Sequence, residues 1–203
     1  AAVGAGLQEF KRAEAILKEK VDLIVVDTAH GHSKKVGEII KKIIGKKTNK
    51  TTLCAGNIAT LEAAKFLIRL GVDIIKVGIG PGSICTTRLV AGIGVPQLSA
   101  ILEVKKGVKN RKIKIISDGG IKFSGDIAKA LAAGADAVMI GSLFAGTLEA
   151  PGKLIKKNGK LYKNFRGMGS VGAMNKGSAD RYFQKKQKNI KKVFYPSLKM
   201  ILN

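Results

Sequence analysis

Residues 70–78, with the sequence LGVDIIKVG, decide how this chain folds. They combine a helix end, a glycine turn and a short apolar run, and the pattern returns as AGADAVMIG at residues 133–141. A looser copy, EKVDLIVVD, occupies residues 19–27. A short, nearly continuous apolar run is typical of a parallel strand that is buried on both faces. Because each copy joins a helix to such a strand, the repeat predicts a succession of βα units.

The rest of the first 150 residues continues this alternation. Beyond an apolar start at residues 1–4, strands are predicted at residues 21–26, 52–55, 74–77, 113–117 and 137–140. Helices are predicted at residues 8–20, 36–44 and 97–108. Thr60 is the expected N-cap of a further helix, and Ser124 or Gly125 starts another. In all we count about six βα units.

Polar residues and glycines follow the carboxyl ends of these strands, and their distribution decides the fold class. In a doubly wound sheet the ligand-binding residues concentrate where the strand order reverses. In a (β/α)8 barrel the loops after all the strands line one catalytic face. We therefore predict an α/β fold of the TIM-barrel type, with about six of the eight βα units present in residues 1–150.

The alternation stops after Thr147. Residues 156–163 are polar and predict an exposed hairpin or loop, with Asn158 and Gly159 as a turn signal. Residues 185–192 form a basic tract. We assign residues 151–203 to a flexible flap after the last strand and a divergent basic C-terminal tail.

The composition limits the classes of protein to which the chain can belong. Of 203 residues, 45% are hydrophobic and 25 are glycine, as in a folded domain. The 37 Lys and Arg outnumber the 14 Asp and Glu, which gives a net charge of +23. Such a charge suits a nucleic-acid binder, but the lysines occur in scattered pairs and the chain has no Trp for base stacking. We interpret the charge as a lysine-rich surface and keep a basic nucleic-acid-binding protein as an alternative.

Three features of the sequence bear on where the protein is located in the cell. No apolar run is long enough to span a membrane, and residues 1–4 lack the basic and apolar zones of a secretory signal. Cys54 and Cys85 stand in different contexts and do not suggest a disulfide framework. We expect a cytoplasmic protein without a membrane partner.

Residues 77–88, VGIGPGSICTTR, form the candidate active-site loop. Its alternating glycines allow positive φ angles and a close approach of the backbone to a ligand. Cys85 lies in this loop, where a thiolate could act as a nucleophile, whereas Cys54 lies within a predicted strand. We interpret Cys54 as an inert buried thiol and Cys85 as the catalytic candidate.

Six segments, in order along the chain, resemble the IMP dehydrogenase family, and the likeness extends over roughly residues 1–184. They are DTAHGHS at 27–33, GNIAT at 56–60, residues 77–88 continuing to GIGVPQ at 92–97, DGGI at 118–121, GS at 141–142 and RGMGS at 166–170. The resemblance implies an NAD-dependent oxidation of inosine monophosphate (IMP) to xanthosine monophosphate in guanine nucleotide biosynthesis. It also implies that Cys85 attacks C2 of the purine and forms a covalent thioimidate, which water hydrolyses. Thr87, Arg181 and Tyr182 match the residues of the hydrolytic step, with Arg181 on a mobile flap.

The resemblance also implies three sets of binding residues. IMP would be bound by Ser83, Asp118, Gly119, Gly120, Gly141, Ser142, Phe165, Arg166, Gly167, Met168 and Gly169. NAD would contact Asp27, Thr28, Ala29, Asn57, Gly78, Ile79 and Gly80. The backbone carbonyls of Gly80, Gly82 and Cys85 would bind a potassium ion. A homotetramer is the assembly that the resemblance implies.

This sequence departs from the family pattern at some positions. Phe165 stands where the family usually has a tyrosine, and the likeness ends after Gln184. We therefore expect the chain alone to have little activity, as a truncated or inactive form. The related GMP reductase, which deaminates GMP to IMP with NADPH, is the nearest alternative. The segment 166–169 and the pair Arg181-Tyr182 favour the dehydrogenase.

Overall fold

The computed structural model describes residues 1–85, 87–109, 112–168, 171–173 and 198–201. Within these residues, six parallel strands form one sheet whose strand order follows the sequence. The strands are β1 (Ala2–Val3), β2 (Leu23–Asp27), β3 (Thr52–Ile58), β4 (Ile74–Val77), β5 (Lys114–Asp118) and β6 (Ala137–Met139). The order never reverses, so this sheet has no switch point of the doubly wound kind. The prediction of a partial (β/α)8 barrel is confirmed.

Helices connect the strands and cover the outer face of the sheet. They are α1 (Leu7–Lys18), α2 (Lys34–Ile44), α3 (Leu61–Arg69), α4 (Thr87–Val90), α5 (Gln97–Gly107), α6 (Ser124–Ala132), α7 (Ser142–Ala145) and α8 (Val171–Ala173). Those predicted from apolar periodicity are confirmed within a few residues at each end. The short helices α4, α7 and α8 were not predicted, because one turn carries no apolar period.

Local signals explain where the longer helices begin. Thr60 caps α3 as predicted, because its Oγ1 accepts a hydrogen bond from the N–H of Ala63 at 3.2 Å. Ser33 caps α2 in the same way, accepting from the N–H of Val36 at 3.4 Å. Each cap satisfies one of the backbone donors that a helix start leaves without a partner.

The repeated sequence pattern has a structural reason. Gly71 and Gly134 follow α3 and α6 with φ angles of 85° and 110°, which only glycine adopts without strain. Two residues later, the carboxylates of Asp73 and Asp136 accept hydrogen bonds from the strand N–H groups of Leu53 and Ile115, both at 2.8 Å. Each aspartate therefore ties the start of its own strand to the neighbouring strand.

The hydrogen bond between Asp136 and the neighbouring strand also affects the pKa of the Asp136 carboxyl group. Partial burial alone would raise the pKa of its carboxyl group, but the Ile115 N–H and the Lys114 ammonium outweigh that effect. The pKa of Asp136 therefore lies below its ordinary value. The charged carboxylate is the form that the fold favours.

The hydrophobic core lies between the sheet and the helices. Its largest fully buried side chains include Ile24, Ile40, Leu53, Leu67, Ile75, Ile101 and Ile115. On α2 the buried residues Val36, Ile39, Ile40 and Ile43 recur at helical spacing and form one apolar stripe. Packing of this stripe against the sheet fixes the strand ends on which the candidate site is built.

Strand β3 differs from the prediction. A strand of residues 52–55 was expected to end at Gly56, but β3 continues to Ile58 and contains a cis peptide bond between Gly56 and Asn57. Its register against β4 shifts between Gly56 and Ile58. A Cβ at Gly56 would overlap the backbone of Lys76, so this glycine permits close strand contact rather than ending the strand.

A second, antiparallel sheet contains β7 (Leu154–Lys157), β8 (Lys160–Phe165) and β9 (Leu198–Ile201). The predicted hairpin is confirmed, with Asn158 and Gly159 at φ angles of 51° and 75° in its turn. Strand β9 was not predicted and pairs with β8. The basic tract at residues 185–192 lies outside the described residues. Among the helices described, none has the length and apolar character to cross a membrane.

Candidate active site

The candidate site occupies the carboxyl ends of four neighbouring strands. Asp27 ends β2, Asn57 lies near the end of β3, and Asp118 ends β5. Lys76 lies on β4 between them. Parallel strands in sequence order bring these four side chains together, although they are far apart in the chain.

The cysteine loop leaves β4 with a backbone that glycine makes possible. Gly78 and Gly80 have φ angles of 151° and 74°. The N–H of Cys85 donates to the carbonyl of Gly82 at 3.0 Å, which closes a tight turn. The half-buried Cys85 thiol donates to Oγ1 of Thr87 at 3.2 Å. The structure thus places the predicted nucleophile against one of the predicted hydrolytic residues.

Cys54 has a different environment, as its strand position predicts. It is fully buried, and burial raises the pKa of its thiol to about 11, although the nearby Lys76 ammonium opposes the shift. A thiol with such a pKa is almost entirely protonated at neutral pH and is a poor nucleophile. Its structure therefore supports the interpretation of Cys54 as a structural residue.

The segment at residues 118–120 packs against the cysteine loop. A Cβ added at Gly119 would lie 3.0 Å from Cγ of Pro81 and 3.3 Å from the backbone nitrogen of Gly82. One added at Gly120 would lie 3.4 Å from Cβ of Gln97. Both glycines have positive φ angles, so larger residues are excluded by conformation as well as by space. This predicted IMP-binding segment thus packs against Pro81 and Gly82 of the loop that carries Cys85.

Gln97 joins the same region, and sequence reasoning gave it no role. Its Nε2 donates to the carbonyl of Val77 at 2.8 Å and to Oγ of Ser117 at 3.0 Å. The side chain therefore bridges the ends of β4 and β5. This bridge supports both loops that carry the candidate residues.

Two further residues that were predicted to bind IMP, Gly167 and Phe165, lie next to other predicted residues of the site. Gly167 lies next to the cysteine loop, since a Cβ there would be 3.3 Å from Cδ1 of Ile84. Phe165 lies next to Gly141, where an added Cβ would be 3.5 Å from Cζ of Phe165. A cavity of about 630 Å³ lies beside Gly141 and Phe165 and does not reach Cys85. Ser83 is exposed, and Ser142 starts α7.

Lys76 is the feature that sequence reasoning missed. The residue is 2% exposed, and its Nζ lies 2.9 Å from Oδ1 of Asp27. The same ammonium donates to Oδ1 of Asn57 and to Oδ2 of Asp118. A signal was present, because a lysine inside a strand buried on both faces needs anionic or carbonyl partners.

Comparison with known proteins identifies the family of the chain. The family model described as IMP dehydrogenase / GMP reductase domain matches residues 1–195. The chain belongs to this family. Inosine-5'-monophosphate dehydrogenase of Rhizobium tropici is 56% identical over 184 residues, which is 91% of this chain and 37% of that protein. The enzyme of Borreliella burgdorferi is 55% identical over 193 residues, which is 95% of this chain and 48% of the relative.

A solved structure of the IMP dehydrogenase / GMP reductase family is also similar. GMP reductase from Trypanosoma brucei, in complex with guanosine 5'-monophosphate, superposes with a TM-score of 0.86. It is 43% identical and covers 100% of this chain and 41% of its own. The chain spans less than half the length of these curated relatives and of this structure.

The predicted NAD contacts of the family divide into two kinds in this structure. The side chains of Thr28 and Asn57 are buried and bonded internally: Thr28 Oγ1 donates to the Gly56 carbonyl at 2.9 Å. Asn57 Nδ2 donates to the Gly78 carbonyl at 2.8 Å and to Oδ2 of Asp118 at 2.9 Å. These two buried side chains therefore support the residues around the site. Contact of NAD with the partly exposed Ala29 and Ile79, and with the loop backbone at Gly80, stays a prediction.

Some predicted residues of the family pattern cannot be placed. Gly169, Arg181 and Tyr182 lie outside the described residues. Arg166 and Met168 are described and exposed. Their part in binding IMP stays a prediction.

Proposed function

We propose that this chain carries the nucleophile and nucleotide-binding part of an IMP dehydrogenase, which converts IMP to xanthosine monophosphate with NAD. The observation that carries the proposal is the contact between Cys85 and Thr87 in a loop packed against the segment at residues 118–120. This packing supports a nucleophile held beside a ribose-binding carboxylate. Such an arrangement suits covalent attack on a nucleotide base.

The chemistry assigned to Cys85 proceeds in two stages. Its thiolate adds to C2 of IMP and forms a carbon–sulfur bond, and loss of hydride from C2 then leaves a thioimidate. Water adds to the same carbon, the carbon–sulfur bond breaks, and the thiol returns to Cys85. Thr87 Oγ1 accepts the hydrogen bond of the resting thiol, and this contact positions the sulfur for both stages.

Recognition of IMP is assigned to the surrounding strand ends. Asp118 is expected to accept hydrogen bonds from the ribose hydroxyl groups, because an ionised carboxylate is a strong acceptor of such bonds. The backbone N–H groups of Gly119, Gly120 and Gly141, with the Ser142 hydroxyl, suit a phosphate group. Phe165 packs beside Gly141 and has no hydroxyl group to contribute there.

The cofactors proposed for this site fit the donors that are present. NAD supplies the acceptor for the hydride that leaves C2. Asp27 offers a carboxylate beside the loop that begins at Gly78. For potassium, the loop offers carbonyl oxygens at Gly80, Gly82 and Cys85, the ligand type that hard cations prefer. The Gly82 carbonyl accepts one hydrogen bond from Cys85 N–H, and a carbonyl oxygen has a second lone pair for a cation.

GMP reductase is the second candidate function, and the similar structure from Trypanosoma brucei favours it. The two activities differ in direction and cofactor. Formation of NADH from IMP, set against consumption of NADPH with GMP, separates them. We expect the first reaction to exceed the second, and the reverse result would select the reductase.

The decisive experiment for the proposal is intact-protein mass spectrometry after incubation of the full chain with IMP and NAD. We expect an adduct with the mass of the oxidised nucleotide, mapped to the peptide that contains Cys85. Cys85→Ala should abolish the adduct, and the matched control Cys54→Ala should retain it. A folded chain without any adduct, or an adduct on Cys54, contradicts the proposed function. We also expect a homotetramer in the cytoplasm, which light scattering and fractionation would test.

A further inference from the structure

The interior of the candidate site contains one lysine that no predicted role explains. Lys76 lies on β4, between the two strands that end in Asp27 and Asp118. Its ammonium group donates hydrogen bonds to Oδ1 of Asn57 and Oδ2 of Asp118 and forms an ion pair with Oδ1 of Asp27. Two of its three donors are thus in hydrogen bonds, and two carboxylates neutralise its charge.

Burial gives this arrangement its energetic weight. Moving an ammonium group out of water costs several kcal/mol. The attraction between the ammonium group and close carboxylate partners is of about the same size and offsets this cost. Because Lys76 is only 2% exposed, its position depends on both aspartates, and their positions depend on it. Removal of the cation would leave two buried or half-buried carboxylates near each other with no counter-charge.

The two hydrogen bonds that Asp118 accepts are on the same side of its carboxylate. Lys76 Nζ and Asn57 Nδ2 both bind the same carboxylate oxygen, Oδ2. Both hydrogen bonds restrain the orientation of the carboxylate, and neither of them uses its other oxygen, Oδ1. Asn57 is held in turn, because its Nδ2 also donates to the Gly78 carbonyl at 2.8 Å.

We propose that Lys76 is a positioning residue that aims Asp118 at the ribose hydroxyl groups of the nucleotide. Through its second carboxylate partner, it also joins the nucleotide site to Asp27 in the predicted dinucleotide site. This inference rests on the proposed function, since it takes Asp118 as the ribose-binding carboxylate. Lys76 itself does not touch the substrate and acts through the aspartates.

A purely structural role makes a different prediction. If Lys76 only filled the interior of the sheet, its replacement would weaken binding of all nucleotides by the same factor. If it aims Asp118, replacement removes the preference for a nucleotide with ribose hydroxyls over one without them. The ratio of two affinities therefore separates the roles, whatever happens to stability.

The test is isothermal titration calorimetry of the full chain with IMP and with 2′,3′-dideoxyinosine monophosphate. A hydrogen bond to a charged group is worth a factor of about 10 or more in affinity, so the wild-type chain should prefer IMP by at least that ratio. In Lys76→Met, which keeps length and apolar volume, the ratio should fall below about 3. Lys76→Arg, which keeps the charge and the donors, should recover most of the ratio. Asp118→Asn serves as the reference for loss of the carboxylate.

Each outcome has a definite meaning. A Lys76→Met chain that binds both nucleotides more weakly but keeps the wild-type ratio overturns the inference and leaves the proposed function standing. A wild-type chain that binds neither nucleotide overturns both. If circular dichroism shows that Lys76→Met is unfolded, Lys76→Gln replaces it, because a neutral amide keeps polar contact with both carboxylates. The same criterion for the affinity ratio then applies.

Discussion

Gly78 offers the sharpest test of how the site is held together. It follows β4, its N–H donates to the Ile58 carbonyl at 2.9 Å, and its own carbonyl accepts from Asn57. Its φ angle is 151°, outside the range that other residues adopt readily. A Cβ here would overlap the backbone carbonyl oxygen of Asp118 and lie 3.2 Å from Oε1 of Gln97. Gly78→Ala therefore forces β4 and β5 apart at the point where both carry site residues.

The expected cost follows from two separate effects. Strained backbone at a non-glycine residue costs about 1–3 kcal/mol. Overpacking a buried site costs about 1–3 kcal/mol more, and here the obstacle is backbone, which cannot rotate away. Gly78→Ala should therefore lower the free energy of unfolding by about 2–6 kcal/mol. It should also weaken IMP binding, because Asp118 moves with its carbonyl.

Urea unfolding followed by circular dichroism measures this loss, with two matched glycine variants as controls. Gly92 has a φ angle of 65° but no atom within 4 Å of an added Cβ, so Gly92→Ala reports the backbone strain alone. Gly125 in α6 has neither obstacle, and Gly125→Ala should stabilise the chain by about 0.5–1 kcal/mol. If Gly78→Ala costs no more than Gly92→Ala, the argument from close strand contact is refuted.

Three further predictions concern single side chains. Iodoacetamide at neutral pH should label Cys85 in the folded chain before Cys54, because burial raises the pKa of the Cys54 thiol to about 11. Peptide mass spectrometry that shows the opposite order of labelling would contradict this. Asp136→Asn should lower the free energy of unfolding at pH 7 by up to about 1 kcal/mol, a small value because the carboxylate is partly exposed. Because its folded pKa lies below its ordinary value, this difference is present above about pH 4 and should disappear as the pH falls through the lower folded value. An unchanged difference at pH 2 in urea titrations would count against it. Lys163→Met removes an ammonium group that donates to the carbonyls of Thr147 and Ala150, both at 2.6 Å. Limited proteolysis at residues 147–150 should therefore become faster. An unchanged cleavage rate would show that Lys163 does not stabilise this loop.

The order of strands and helices could be predicted because its signals are local. The run at residues 74–77 was predicted as a strand and is β4 with the same bounds. The repeat adds a second local signal, since Gly71 and Gly134 mark helix ends and Asp73 and Asp136 mark strand starts. Each of these positions is decided by neighbours within a few residues. Such neighbours are visible in one sequence without an alignment.

Boundaries that depend on distant contacts were predicted less well. Gly56 looked like the end of a strand because glycine usually interrupts one. In the structure it continues β3, since the backbone of Lys76 lies where a side chain would be. Strand β9 was missed for a related reason: residues 198–201 pair with β8, more than thirty residues earlier in the chain. No local pattern encodes such a partner.

The candidate site shows the same division. Cys85 and Asp118 could be predicted because each stands in a glycine-rich loop after an apolar run. Lys76 in a buried strand indicates that it needs oxygen partners, but the identity of those partners, Asp27 and Asp118, could not be predicted because only the sheet brings their strands together. Thr28 and Asn57 were predicted to contact NAD, and the structure shows in addition that their side chains form internal hydrogen bonds. Sequence motifs identify which segments form the site, while the direction of each side chain depends on the register of the strands.

Lysine itself shows why the overall charge was a poor guide to function. An exposed lysine costs the fold almost nothing, so the net charge of +23 follows surface composition. A buried lysine must find oxygen partners, and the type of partner is informative. Lys163 is 2% exposed and donates to backbone carbonyls of one loop, which any sequence provides, so it braces that loop. Lys76 is equally buried but binds two carboxylates at strand ends, and a ligand-binding role accounts for carboxylates whose burial costs stability. That difference in partners assigns Lys163 to the fold and Lys76 to the site.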